Sequence, residues 1–404
     1  MKRPLQRIER LAAITKKQKR TIVGLMSGTS VDAIDAVLVH IEGTARKRAN
    51  IEPLLFRSFP FPRDVQKRIN TLFDKKKARI EEICHLDFVV GELFAAAATE
   101  LIRDAGLTND QVDLIATAGQ TVWYKPRPVV EAWDGAPWPK DPVATRSLLT
   151  LGDPDVIAER TGIVTIGDLR HRDIAAGGLG APLVPYFDWA QLGDRRLARC
   201  AQNVGGIANV TYIPPKARLE DVIAFDTGPG NMVIDALVYH FSRRRDSYDR
   251  GGTRAGRGEV REDVLGWCMS DPYFDLKPPK TTGRERFGRQ FARRLLRQFP
   301  DADGDDLIAT ATAFTAESIA HAYRTFIGRH VDELILAGGG AKNATLLAML
   351  RERLPSTEIT VYKWLQEKEA MAMALIANDS ISGMATNVPT ATGGRPAILG
   401  KICL

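Results

Sequence analysis

A duplicated α/β architecture is what this 404-residue sequence predicts, and three observations carry the prediction. Two pairs of short β-type runs are each joined by a turn of small residues, around Ser27–Asp35 in the first half and Gly205-Gly206 in the second. Strand-to-turn units with glycine follow later in each half, at Asp113–Gly119 and Glu333–Gly340. The composition, 44% hydrophobic and 26% charged with 34 Gly and 22 Pro, is that of a globular chain and excludes collagen, coiled coil and wholesale disorder.

The first twenty residues stand apart. Lys2, Arg3, Arg7, Arg10, Lys16, Lys17, Lys19 and Arg20 face Glu9 alone there, so the tail carries the whole formal charge of +7 and the body is neutral. A basic tail on a neutral body is a weak nucleic-acid signal, and no nucleic-acid partner is expected. Leu5, Ile8, Leu11 and Ile14 recur at helical spacing, which leaves a mitochondrial presequence as an alternative. The segment lacks Ser and contains Glu9, so residues 1–20 read as a disordered or partly helical extension.

After the tail, Thr21–Met26 and Ala36–Ile41 read as a hairpin, and Ile51–Phe59 adds a third strand that Phe61-Pro62 stops. Helical patterns run from Asp64 to Asp74 and from Ala78 to Ala105. Asp113–Thr117 reads as a buried strand, and Tyr124–Asp141, rich in Pro and Trp, as an exposed irregular insertion. The second half is expected to begin near Gly162–Ile166. Cys200–Ile213 supplies two strands, Val222–Phe225 a third ending at Asp226, and Gly230–Phe241 a helix. Helices follow at Arg261–Met269, Glu285–Gln298 and Asp305–Gly328, then the strand Glu333–Ala337 and helices at Asn343–Arg353 and from Glu369.

Four scattered cysteines without a CxxC pair indicate a reducing, cytoplasmic setting. No run of 18 apolar residues exists and no secretory h-region opens the chain, so no membrane partner is expected. Six histidines show neither HExxH nor zinc-finger spacing.

Five motifs carry chemistry. In Met26–Asp35, a turn of Gly, Ser and Thr lets backbone N–H groups approach a phosphate, with Asp32 placed for a cation; a plain surface hairpin is the alternative. Asn203–Asn209 is a second tight Gly turn between strands, either another phosphate clamp or simply a compact hairpin. Phe225–Asn231 puts Asp226 at the end of a strand before a Gly-Pro-Gly entry to a helix, whose N-terminus favours the ionised form that a general base needs. Helix capping is the competing role for Asp226. Gly167–Pro185 gathers Asp168, Arg170, Arg172 and Asp173 near glycines, either as a polar ligand cradle or as a salt-bridged linker. In Leu336–Asn343, a strand, three glycines and a helix either leave room for a nucleoside against the backbone or form an ordinary strand-to-helix turn, and without GxGxxG no dinucleotide is implied. No GxxxxGK[ST] occurs.

Taken in order, Met26-Ser-Gly-Thr-Ser30, Gly119-Gln-Thr121, Arg172-Asp-Ile-Ala175 with Gly180–Pro185, Asn203–Asn209, Phe225–Asn231, Asp271–Phe274, Pro279–Glu285 and Gly338–Ala341 resemble the anhydro-N-acetylmuramic acid kinase family, including its fungal levoglucosan kinase branch. The resemblance covers Thr21 to Leu404. It implies two ribonuclease-H-like domains of the actin, sugar kinase and Hsp70 type, with ATP in the cleft between them. It also implies a kinase reaction in which water opens a 1,6-anhydro ring while the freed O6 takes the γ-phosphate.

By position, Asp226 matches the general base, Gly28, Thr29 and Ser30 the first phosphate loop, Gly205 and Gly206 the second, and Gly338, Gly339 and Gly340 the nucleoside end. Gln120, Arg172, Asp173 and Asn231 match sugar-side positions, and Asp32 and Glu369 the Mg2+ side. The implied domains are 21–167, with 385–404 packing back on it, and 168–384. Some members pair, which leaves a homodimer open. Ala118, Leu179 and Thr150 replace polar residues usual in the family, and the wording around Cys200 leans towards the levoglucosan branch. A levoglucosan kinase, a catalytically weak binding homologue and a hexokinase-like enzyme therefore stay open as alternatives.

Overall fold

A computed structural model describes residues 4–404 apart from 29, 134, 136, 137, 139 and 140. Thirteen strands are formed among the described residues: β1 Lys19–Met26, β2 Ala33–Glu42, β3 Asn50–Pro60, β4 Leu114–Thr117, β5 Gln120–Glu131, β6 Val143–Leu151, β7 Val164–Gly167, β8 Arg199–Val204, β9 Ile207–Ile213, β10 Ile223–Pro229, β11 Glu333–Ala337, β12 Glu358–Val361 and β13 Lys401–Cys403. The chain divides into two compact units, the first Met1–Gln191 with Gln366–Leu404 and the second Leu192–Leu365.

In the first unit the sheet order is β13-β7-β4-β1-β2-β3. β1, β2 and β3 form an antiparallel meander, whereas β4 runs parallel to β1 and β7 parallel to β4. The second unit repeats the arrangement as β10-β9-β8-β11-β12, again a meander followed by two parallel strands beside its first strand. Order and direction recur in both, which is the ribonuclease-H-like duplication the sequence predicts.

Burial explains the layers. In the first unit, the helix Ile80–Asp104 brings Leu86, Val90, Phe94, Ala97, Ala98 and Leu101 at three- and four-residue spacing onto Val23, Leu25, Leu38 and Ile115. The helix Lys368–Ile381 also packs against β1, so closely that a Cβ on Gly24 would collide with the Ala370 carbonyl. In the second unit, Phe274, Phe287, Phe291 and Phe314 form an aromatic core, with Phe291 and Phe314 stacked at 5.5 Å.

Three expectations are corrected. Of the disordered and partly helical readings of the N-terminal segment the helical one holds, and the segment is packed instead of being an appendage: Pro4–Lys16 is a helix and β1 starts at Lys19. Its Ile14 is 1% exposed, Arg10 donates to the Val112 carbonyl at 2.6 Å, and buried Arg20 donates to the carbonyls of Ile14 and Thr15. Part of the excess charge is thereby spent on strand and helix ends and on pairs such as Arg7–Glu159 and Lys17–Asp113.

Residues 124–141 do not form a wholly irregular insertion, because β5 and β6 pair as a hairpin. Trp123, Tyr124, Val129 and Val130 favour strand, and Pro126 and Pro128 are taken up where the register shifts between Lys125 and Val129.

Gly162–Ile166 does not open the second half, since β7 belongs to the first sheet. The division falls at 191/192 and 365/366 instead of 167/168 and 384/385 because buried polar ties hold both segments to the first unit. Tyr186 Oη donates to Asp379 at 2.7 Å, Lys368 pairs with Asp188 at 2.6 Å, and Asp173 accepts from Asn387 and Thr392. β13 closes antiparallel on β7. Cys84, Cys200, Cys268 and Cys403 are free, and among the described residues no helix is long and apolar enough to cross a membrane.

Candidate active site

In the second unit, three glycine segments meet. The β8–β9 turn at Gly205-Gly206 accepts hydrogen bonds from the backbone N–H groups of Gly230, Asn231 and Met232, at 2.8–3.2 Å. Gly338, at φ +82°, lies so close to Asn203 and the Val204 carbonyl that a Cβ would strike both, and Gly340 crowds the Val204 side chain in the same way. Asn231 Nδ2 donates to the Val204 carbonyl at 3.2 Å. Through this amide N–H, Asn231 braces the turn against the start of the helix. Beside this packed underside, Cβ positions built on Gly205 and Gly339 come no nearer than 3.7 and 3.5 Å to any atom.

Asp226 sits midway along β10, which runs on to Pro229 instead of ending at Asp226 as the sequence predicts, at the point where the register against β9 slips between Asp226 and Gly228. Both donors that reach its carboxylate converge on Oδ2: Thr281 Oγ1 and the Thr282 N–H, each at 2.8 Å. Oδ1 accepts from none of the described residues. The main chain is fixed as well, with Asp226 N–H donating to Lys280 O at 3.2 Å and Tyr273 Oη to Asp226 O at 2.6 Å. Burial pushes the carboxyl up to about 6 and Glu285 adds to the rise, against the two donors and Lys280. The helix N-terminus was expected to favour the anion; desolvation outweighs it. Nor does Asp226 cap the helix Asn231–Phe241, whose start has no side-chain cap.

In the first unit, Ser27–Asp32 links β1 and β2. Thr29 lies outside the described residues. A Cβ on Gly28 would have nothing nearer than Ser30 Oγ at 3.8 Å. The loop is braced from behind: Ser27 Oγ donates to Gln120 Oε1 at 2.6 Å, and Gln120 Nε2 donates to the carbonyls of Gly28 and Thr121. Gln120, fully buried, is thus a support for the loop and not a sugar contact. Val31 holds a left-handed φ of +58°, a strained conformation for a β-branched residue, and Gln66 Nε2 donates to its carbonyl at 2.8 Å.

Asp32 is exposed, and its carboxylate accepts from none of the described residues. Burial raises Asp35, with Ser58 opposing and Asp32 and Glu367 adding to the rise. The surrounding protein partly desolvates Glu369, whose residue is nonetheless exposed, and so raises its carboxyl against the pull of Lys368 and Arg170, with Asp35 adding to the rise. Among the described residues, no group of three or more His, Cys, Asp or Glu could hold a metal ion by itself. Mg2+ takes one or two protein carboxylates and completes its shell with water and phosphate oxygens, a demand that the exposed Asp32 carboxylate fits.

The Gly167–Pro185 motif is mainly an internal clasp. Asp168 pairs with Lys401 at 2.6 Å, and Arg170 donates to the Gly180 carbonyl at 2.9 Å. Asp173 is fully buried and accepts from Gly180 N–H, Asn387 and Thr392, so it is not free for sugar. Arg172 differs: it is exposed, and its guanidinium has no partner among the described residues. Of the three departures, Ala118 is buried, Thr150 Oγ1 donates to Asp168 at 3.4 Å, and Leu179 N–H donates to the Thr392 carbonyl.

Sequence reasoning gave no role to Tyr273, Lys280, Thr281 or Thr282, although their motifs were noted. The available signal was two hydroxyl residues straight after Pro-Pro-Lys.

The sequence profile of the family described as anhydro-N-acetylmuramic acid kinase matches residues 20–404. The chain is 43% identical to a protein of Caldanaerobacter subterraneus subsp. tengcongensis named anhydro-N-acetylmuramic acid kinase, covering 98% of this chain and 100% of that one. It is 40% identical to a Bacillus cereus protein of the same name, covering 94% and 98%. The leaning towards the levoglucosan branch gains nothing from these relatives. Among solved structures, the activator of the 2-hydroxyisocaproyl-CoA dehydratase from Clostridium difficile matches with a TM-score of 0.45 at 13% identity, covering 90% of this chain and 96% of that one.

Proposed function

The chain belongs to the anhydro-N-acetylmuramic acid kinase family, and from that membership we propose an ATP-dependent kinase acting on a 1,6-anhydro sugar, anhydro-N-acetylmuramic acid. Water adds at the anomeric carbon, the bond from that carbon to O6 breaks, and O6 takes the γ-phosphoryl group, releasing ADP. The observation that carries the reading is Asp226, a part-buried carboxylate with one oxygen doubly held, the other free, and a titration point near 6. A base with that value is ionised at neutral pH yet basic enough to take a proton from water.

The chain's own groups divide the remaining work. Asp226 Oδ1 orients the water and receives its proton. In the second unit, the open faces of Gly205 and Gly339 leave backbone room for phosphate and nucleoside. In the first, Gly28 and Ser30 offer the same to phosphate, and Asp32 and Glu369 would hold Mg2+. That ion, when bound, neutralises charge on the transferring phosphoryl group. Arg172 offers a free guanidinium to the lactyl carboxylate of the muramic acid, which favours this sugar over uncharged levoglucosan. Four free cysteines support a reducing, cytoplasmic setting.

The test is ADP release with anhydro-N-acetylmuramic acid, levoglucosan, glucose and no sugar, for the native chain and Asp226→Asn. Sugar-dependent release, strongest with the first and lost in the variant, is expected. Turnover with glucose alone, or sugar-stabilised protein without ADP, would replace the proposal by the hexokinase or binding-homologue reading.

A further inference from the structure

Lys280 is 8% exposed, an unusual place for an ammonium. Its Nζ lies 4.2 Å from the ring centre of Phe326, 4.6 Å from Tyr273 and 5.8 Å from Phe225, and it donates to the Tyr273 carbonyl at 3.3 Å. Three π faces and one carbonyl thus stand in for water around a buried cation.

The main chain at this residue handles Asp226. Lys280 O accepts the Asp226 N–H, and the next two residues supply both donors to Oδ2. Tyr273, one wall of the box, also donates its hydroxyl to the Asp226 carbonyl. Pulling the ammonium out of the box therefore loosens both the backbone and the carboxylate of Asp226.

We propose that Lys280 is a positioning residue for Asp226: its ammonium, boxed by Phe225, Tyr273 and Phe326, fixes residues 280–282 so that Thr281 and Thr282 hold Oδ2 and leave Oδ1 to the water. The proposal rests on Asp226 being the base. The positive charge of Lys280 also favours the ionised carboxylate of Asp226, while Glu285 opposes it. The other charged or titratable groups around the box are Asp275, which acts on Lys280, Arg286 over the Tyr273 ring and paired with Asp271, and His321 against Phe274 and Phe326.

The experiment compares Lys280→Met and Lys280→Arg with the native chain, reading kcat and KM across pH with anhydro-N-acetylmuramic acid and ATP. In Lys280→Met the acid limb of kcat/KM should move to higher pH by about half a unit or more, through loss of charge and donors. Its kcat should fall about tenfold to a hundredfold through lost alignment, with KM for ATP unchanged. Lys280→Arg, which keeps charge and π contact, should hold the native limb. A Lys280→Met profile that superimposes on the native one overturns the proposal. If that variant does not fold, Phe326→Leu reads the same device by removing the nearest π face, and an unmoved limb there overturns it equally. Activity retained in Asp226→Asn strikes instead at the base assignment, whatever Lys280 does.

Discussion

Replacing Asp226 by Asn should raise stability near neutral pH while abolishing turnover. The carboxyl titrates near 6 because burial outweighs its two donors. In the unfolded chain it would titrate near about 3.9, so between those values the folded state keeps a proton that the unfolded state has lost. The stability this group contributes is complete below about pH 4, falls as pH rises through 6, and above that the ionised form is a net penalty. The difference between the two titration points corresponds to about 3 kcal/mol for a fully shielded group. Because Asp226 is partly open to solvent, about 1–2 kcal/mol is expected after screening. Asn keeps the size and an oxygen for Thr281 and Thr282 but carries no charge. Denaturant melts of both proteins at pH 3.5 and 7.5, beside ADP release, measure the effect. The variant should gain at pH 7.5 and match the native chain at pH 3.5. A stability gap independent of pH would refute the reasoning.

Four further outcomes are expected. Arg172→Ala should raise KM for anhydro-N-acetylmuramic acid about tenfold to a hundredfold and leave that for levoglucosan nearly unchanged, as a lost charge-assisted bond to a carboxylate requires; initial rates with both sugars decide it. Gly28→Val should fold normally, since its Cβ side is open, but raise KM for ATP about tenfold or more. Gly338→Ala, at φ +82° and against Asn203 and Val204, should instead lower thermal stability by about 1–3 kcal/mol. Ile14→Ala should cost about 2–4 kcal/mol in a denaturant titration, because that side chain is buried although it lies in a segment that composition alone marks as a tail.

Much of the fold is legible because its signals are local. The short apolar and β-branched runs of Thr21–Met26 and Cys200–Ile213, and the 3.6-residue pattern of Ala78–Ala105, need no distant partner to be read. What was misread depends on distant partners. Residues 168–191 belong to the first unit because Asp173 finds Thr392 and Tyr186 finds Asp379. The N-terminal helix holds because Arg10 meets Val112 and Arg20 meets Ile14 and Asn378. The site follows the same division. Motif chemistry singles out Asp226 and the glycine turns, but residue type does not separate Arg172, left free, from Asp173 and Gln120, whose polar atoms are absorbed by neighbours. Lys280 was invisible as a functional residue because its role arises from three aromatic rings far apart in sequence.

The division of the chain has a consequence for its biosynthesis. The second unit is one continuous stretch, Leu192–Leu365, set inside a first unit that resumes at Gln366 and closes its sheet with β13. A nascent chain emerging from the ribosome can complete the second unit while the first still lacks the helix that covers β1 at Gly24. Until Lys368–Ile381 arrives, β1 lacks that helix, and until β13 arrives β7 lacks its antiparallel neighbour and is an open edge. Loss of the C-terminal segment would thus leave a folded second unit tethered to an unfinished, aggregation-prone first one, so late truncations should be far more damaging than their length suggests.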